Sequence, residues 1–85
     1  MDLARNQWFR AFGLAVNHFR TKRGISQEAL ALAAGVNRTH MNVLETGRSN
    51  PSLDTMLKVC AALDISFVEL AREIEKHLKK RRAAR

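Results

Sequence analysis

Three glycines punctuate the middle of this 85-residue chain: Gly24, Gly35 and Gly47. A glycine can take the left-handed backbone that stops a helix. The residues between them therefore read as two short helices joined at a bend, ISQEALALAA and VNRTHMNVLET. Ser26 and Asn37 are good N-caps, which predicts one helix over 27–34 and another from about 37 to just before Gly47. Met41 and Leu44, three apart, form an inward stripe on the second helix. Its other positions, Asn37, Arg38, Thr39, His40 and Asn42, are a polar mixture suited to contact rather than packing. Helices this short are marginal alone, so the remaining chain must be arranged to hold them.

The flanking segments supply that support. Residues 2–22 read as a long first helix with Asp2 as a candidate N-cap. Phe9, Phe12, Val16 and Phe19 share one face, widened by Trp8 and Ala15. Gly13 inside it costs roughly 1 kcal/mol relative to Ala, and suggests a close helix approach. In the second helix Leu30, Ala33 and Ala34 are expected to face the core, with Ala31 and Gly35 small where another backbone comes close. Ser52 caps a fourth helix to about Leu63. There Leu53, Met56, Leu57, Val59, Cys60 and Leu63 cover most of the circumference, so burial on more than one side is expected. Ser66 and Glu69 form a capping box opening a fifth helix, whose stripe is Phe67, Leu70, Ile74 and Leu78. Favourable i, i+4 pairs are expected for Asp54 with Lys58 and Glu75 with Lys79. The fold class is thus all-α, a compact five-helix bundle, with one domain over 1–82 and residues 83–85 as a disordered basic tail.

Charge bounds the function. Fifteen Lys and Arg against eight Asp and Glu give +7. So basic a small domain points to an anionic partner, nucleic acid before membrane. No apolar run approaches a membrane span, and the N-terminus lacks a signal-peptide core, so a cytoplasmic protein is expected, with no membrane partner. The single cysteine, Cys60, excludes an intramolecular disulfide and reads as a small buried residue. His18, His40 and His77 lack metal-ligand spacing, so no metal site is expected. No nucleophile is paired with a base in a recognisable arrangement, so neither an enzyme, a cofactor nor a small-molecule ligand is expected.

From about Leu14 to Leu70 the chain resembles the Cro/C1-type (XRE-like) helix-turn-helix family. The match is carried by Gln27, Leu30-Ala31, Gly35-Val36, Met41, Leu44-Glu45, Gly47, Pro51 and Leu53, above all in LALAAGV and VLETGRSNPSL. The resemblance implies a lambda-repressor-like domain whose third helix enters the major groove. It places Arg38, Thr39, His40, Asn42 and Val43 at base edges, and Gln27, Asn37, Arg48, Ser49 and Asn50 at the DNA backbone, with Lys22 and Arg23 as further phosphate neighbours. It gives Glu45 structural hydrogen bonds rather than a catalytic role. It also implies a homodimer on a palindromic operator. The surplus apolar residues Leu53, Met56, Ile65, Phe67 and Val68 are the candidate dimer face. With Asn37-Arg38-Thr39 at the start of the third helix, the chain further resembles restriction-modification controller proteins. A phage-type or toxin-antitoxin repressor would use the same chemistry. A protein-interaction module that has lost DNA binding is the competing class, opposed by the polar third helix and the +7 charge.

Overall fold

Each of the inner helices begins where a side chain caps it. The Ser26 hydroxyl accepts from the Ala29 amide at 3.0 Å, Asn37 Oδ1 from His40 at 2.7 Å, and the Ser52 hydroxyl from Thr55 at 3.0 Å. At the fifth helix the capping box closes both ways, with Glu69 N donating to Ser66 Oγ at 3.0 Å and Ser66 N to Glu69 Oε1 at 2.8 Å. The computed structural model describes the backbone of residues 3–83 and the side chains of 6–79. In it the helices are α1 (Leu3–Lys22), α2 (Gln27–Ala34), α3 (Arg38–Glu45), α4 (Leu53–Leu63) and α5 (Phe67–Ala83). The cap expected at Asp2 lies outside the described residues. Helix α5 runs through Ala83, one residue into the expected tail, and residues 84 and 85 also lie outside.

The first four helices end alike. A residue in the left-handed region (Gly24 at φ 69°, Gly35 at 74°, Gly47 at 74°, Asp64 at 55°) turns the chain. The next amide then reaches back five residues: Ile25 to Arg20, Val36 to Ala31, Arg48 to Val43 and Ile65 to Cys60, at 3.0–3.3 Å. This satisfies carbonyls the helix would leave orphaned. After α1, α2 and α4 the reaching residue is apolar, and Ile25, Val36 and Ile65 pack onto the core. After α3 it is Arg48, which is exposed. The one helix with a base-reading candidate face thus ends in a cation held outward.

The core unites Ala11, Phe12, Ala15 and Val16 of α1 with residues from every other helix, including Leu30, Met41, Leu44, Leu63 and Leu70. Full burial of a side chain of that size contributes roughly 1.5–3 kcal/mol. Helix α1 packs on α5, α3 and α4, and α2 packs on α3 and α4. Gly13 is where α1 meets the end of α3. A methyl group there would lie 2.6 Å from the Leu44 carbonyl oxygen, so only glycine allows that approach.

Several expectations need correcting. Ala33 is exposed, because α2 turns only Leu30, Ala31 and Ala34 inward. Gly35 is small for its backbone and not for packing, since a side chain there would meet nothing within 4 Å. Phe67 is 43% exposed; the inward stripe of α5 starts at Leu70 and continues through Ile74 and Leu78. Trp8 is half-exposed at the rim of its stripe. Asp54 and Lys58 pair at 3.0 Å, whereas Glu75 and Lys79 form no ion pair. Cys60 is buried, and burial, reinforced by the charge of Glu69, pushes its thiol above the ordinary value. That makes it a packing residue and a poor nucleophile. Among the described residues no helix is long and apolar enough to cross a membrane.

Candidate nucleic-acid interface

Helix α3 is held from behind by two fully buried side chains, Met41 and Leu44. That leaves Arg38, Thr39 and Asn42 exposed on its outer side. With Gln27 from the start of α2, these three line a polar cleft of about 240 Å³. Val43 is half-buried along the same helix. His40 is also half-buried, and its amide is the one that Asn37 caps. The cap occupies the Asn37 carboxamide oxygen, so that residue fixes the start of the helix whatever else it touches.

The support behind the cleft is ionic. Glu45, its side chain only 3% exposed, receives Arg20 Nε on Oε2 at 2.7 Å and Arg20 Nη2 on Oε1 at 3.1 Å. Asn17 and Gln27 each donate to Oε1 at 3.2 Å. Arg20 Nη1 donates to the Ile25 carbonyl at 2.8 Å. One carboxylate thereby ties α1, α2 and α3 together. A buried pair adds little net stability when intact, yet it fixes geometry, because any misplacement strands a charge. Glu45 was legible as a structural residue. The role of Arg20 was not: in the sequence it reads as a cation suited to the end of α1.

The network reaches the surface. Asn42 Nδ2 donates to Gln27 Oε1 at 3.3 Å, and Arg48 Nη2 lies 3.4 Å from Asn42 Oδ1. Arg48 Nε also donates to the Thr46 hydroxyl at 2.9 Å. The other candidates are placed elsewhere. The Ser49 hydroxyl is turned inward and buried, without a partner among the described residues. Asn50 lines an apolar cavity of about 180 Å³ with Trp8, Phe12, Pro51 and Met56, not the polar cleft. Arg23 Nη2 donates to the Asp64 carbonyl at 3.2 Å, at the joint between α4 and α5. Lys22 is exposed.

Of the candidate dimer residues, Leu53 is 58% exposed, Val68 57% and Phe67 43%. Met56 and Ile65 are half-buried against the core and offer less surface. Leu57, one turn beyond Leu53, is 49% exposed and extends the same strip of α4. The i, i+4 spacing of Leu53 and Leu57 was the signal for it.

Comparison with known proteins identifies the family and the fold. The family model "Helix-turn-helix" matches residues 18–70. The control protein C.MunI of Mycoplasma sp. is 37% identical over 67% of this chain and 77% of its own. An uncharacterized HTH-type transcriptional regulator of Sinorhizobium fredii, y4dJ, is 35% identical over 60% of this chain, which spans 66% of that relative's length. Among solved structures, the restriction-modification controller protein C.AhdI of Aeromonas hydrophila superposes with a TM-score of 0.71 at 40% identity, covering 73% of this chain and 94% of its own. The chain belongs to the helix-turn-helix family, among the transcription regulators of Cro/C1 (XRE) type.

Proposed function

We propose that this chain is a sequence-specific regulator of transcription that binds a two-fold symmetric operator as a homodimer, in the manner of restriction-modification controller proteins. The observation that carries the reading is the division of α3. Its inner side is pinned by Met41, Leu44 and the Glu45 network, and its outer side offers Arg38, Thr39 and Asn42 around a polar cleft. A major groove about 12 Å wide admits one such helix. Arg38 can take guanine O6 and N7 as a bidentate donor, the Thr39 methyl or Val43 can meet a thymine methyl, and Asn42 and His40 lie along the same helix. Phosphate contacts then position the domain without reading sequence. Arg48 and Asn50 beyond α3, and Gln27 and Asn37 at the helix starts, take that role. Ser49 would join them only by turning its hydroxyl outward.

One helix reads few base pairs, so a second copy is required for useful specificity. The exposed residues Leu53, Leu57, Phe67 and Val68 supply the apolar surface for it. The controller assignment rests on the likeness to C.MunI and C.AhdI. The decisive experiment is selection of bound sequences from a random double-stranded DNA pool. Enrichment of a palindrome with half-sites about one helical turn apart is expected. Failure to enrich any sequence would remove the reading.

A further inference from the structure

We infer, on the strength of the DNA-binding reading above, that Arg10 of α1 holds a DNA phosphate beside the turn between α3 and α4. The first helix would then clamp the operator backbone together with Arg48. The placement follows from the crossing of α1 and α3 at Gly13. One turn earlier, α1 lies directly against the turn that ends α3: a methyl group on Gly47 would sit 2.7 Å from the Arg10 Cα. Arg10 therefore starts next to the residue that joins Thr46 to Arg48. Its side chain is exposed. Helix α1 carries no acidic residue from Leu3 to Lys22. Among the described residues no carboxylate pairs with Arg10.

Between the two helices runs a groove of about 330 Å³, lined by Arg10, Leu14, Glu45 and Thr46. The carboxylate in that lining is already neutralised, since Arg20 donates to both oxygens of Glu45, at 2.7 and 3.1 Å. The Thr46 hydroxyl donates to the Asn42 carbonyl of its own helix at 2.9 Å and accepts from Arg48 Nε at 2.9 Å. Two cations, Arg10 and Arg48, thus flank one turn, and the charge left uncompensated there is positive. Leu14 lies one helical turn beyond Arg10, about 6 Å along the axis, and is 42% exposed. A DNA strand alternates charged phosphates with less polar sugars. A cation and an aliphatic side chain one turn apart suit such a strand, with Arg10 on a phosphate and Leu14 against the adjoining sugar. Contacts of this kind fix the position of the domain and carry no sequence information.

The test is operator binding by Arg10→Gln, which keeps the Cγ that lies against Gly47 and removes the charge, once its melting profile is seen to match the parent's. Affinity should fall for all sequences alike. The slope of log affinity against log salt should become shallower by about one released counterion per copy. Arg10→Lys, which keeps the charge, should hold the parental slope. Ethylation of operator phosphates supplies the direct readout: one phosphate per half-site whose modification weakens the parent chain should no longer matter to Arg10→Gln. An unchanged salt slope, an identical interference pattern, or a changed base preference in the random-pool selection would overturn the inference. If Arg10→Gln melts early, Leu14→Glu takes its place, at an exposed position one turn on. A carboxylate facing the same strand should weaken every operator by roughly tenfold or more, and unaltered affinity would again overturn the inference. If the parent chain enriches no sequence, the DNA-binding reading itself fails and takes the inference with it, an outcome distinct from the others.

Discussion

Gly13 of α1 lies so close to Leu44 of α3 that an added methyl group would sit 2.6 Å from the Leu44 carbonyl oxygen, with the Glu45 carbonyl closer still. The long first helix therefore rests, backbone on backbone, on the end of the helix that carries the candidate interface. Helix propensity and tertiary packing pull in opposite directions at this residue.

That conflict yields a prediction with a sign. By propensity alone Gly13→Ala should stabilise α1 by roughly 1 kcal/mol. The contact is with backbone carbonyls, which cannot rotate away, so α1 and α3 must move apart and loosen the core between them. A net destabilisation of about 1–3 kcal/mol is expected in a chemical denaturation series. A variant more stable than the parent would show that α1 does not approach α3 in solution as described.

Glu45→Ala should be the most damaging single change outside the apolar core. It leaves Arg20, only 15% exposed, without its counter-charge, and removes the acceptor shared by Asn17 and Gln27. A loss of about 3–5 kcal/mol in unfolding free energy is expected. Asp54→Ala breaks a pair at a similar distance, 3.0 Å, but between side chains 74% and 50% exposed. Its effect should stay below about 1 kcal/mol. Equal losses for the two variants would contradict the assignment of Glu45 as the tie between three helices.

Much of this was readable from the sequence because its signals are local. Caps at Ser26, Asn37, Ser52 and Ser66 act within three residues, and every one of them forms. What escaped depends on distance along the chain. Arg20 and Glu45 are 25 residues apart and meet only because Gly13 lets α1 settle onto α3. His18 of α1 likewise reaches Glu73 of α5, at 3.8 Å, a contact no local spacing announces. The exposure of Ala33 was missed for another reason. A periodic stripe predicts a face but not where a neighbouring helix stops covering it. At the candidate interface the outward set of α3 was legible from its polarity. The commitment of Gln27 and Asn42 to one another was not, since it is a property of two helices at once.

The division between base-reading and backbone-holding residues predicts two different defects. Arg38→Ala should relax preference at one base pair per half-site, at a cost on the order of 1–3 kcal/mol for the preferred operator. Arg48→Ala should weaken all sequences alike and shallow the salt dependence by about one released counterion. Competition binding over a range of salt concentrations separates them. Identical behaviour of the two variants would remove the division.

The dimer face can be tested without DNA. Leu57 is 49% exposed and Val68 57%, so neither contributes much to the core of a single copy. Replacing either by Glu should leave the monomer folded, since an exposed position tolerates charge within about 0.5 kcal/mol. In a dimer packed through this strip the same charge would be buried without a partner, at a cost of several kcal/mol. Sedimentation at micromolar concentration is therefore expected to show a dimer for the parent chain and a monomer for Leu57→Glu, with the helical signal retained. Operator affinity should fall with it, because each half-site would then be bound independently. A parent chain that sediments as a monomer, or a Leu57→Glu variant that remains a dimer, would move the interface away from α4.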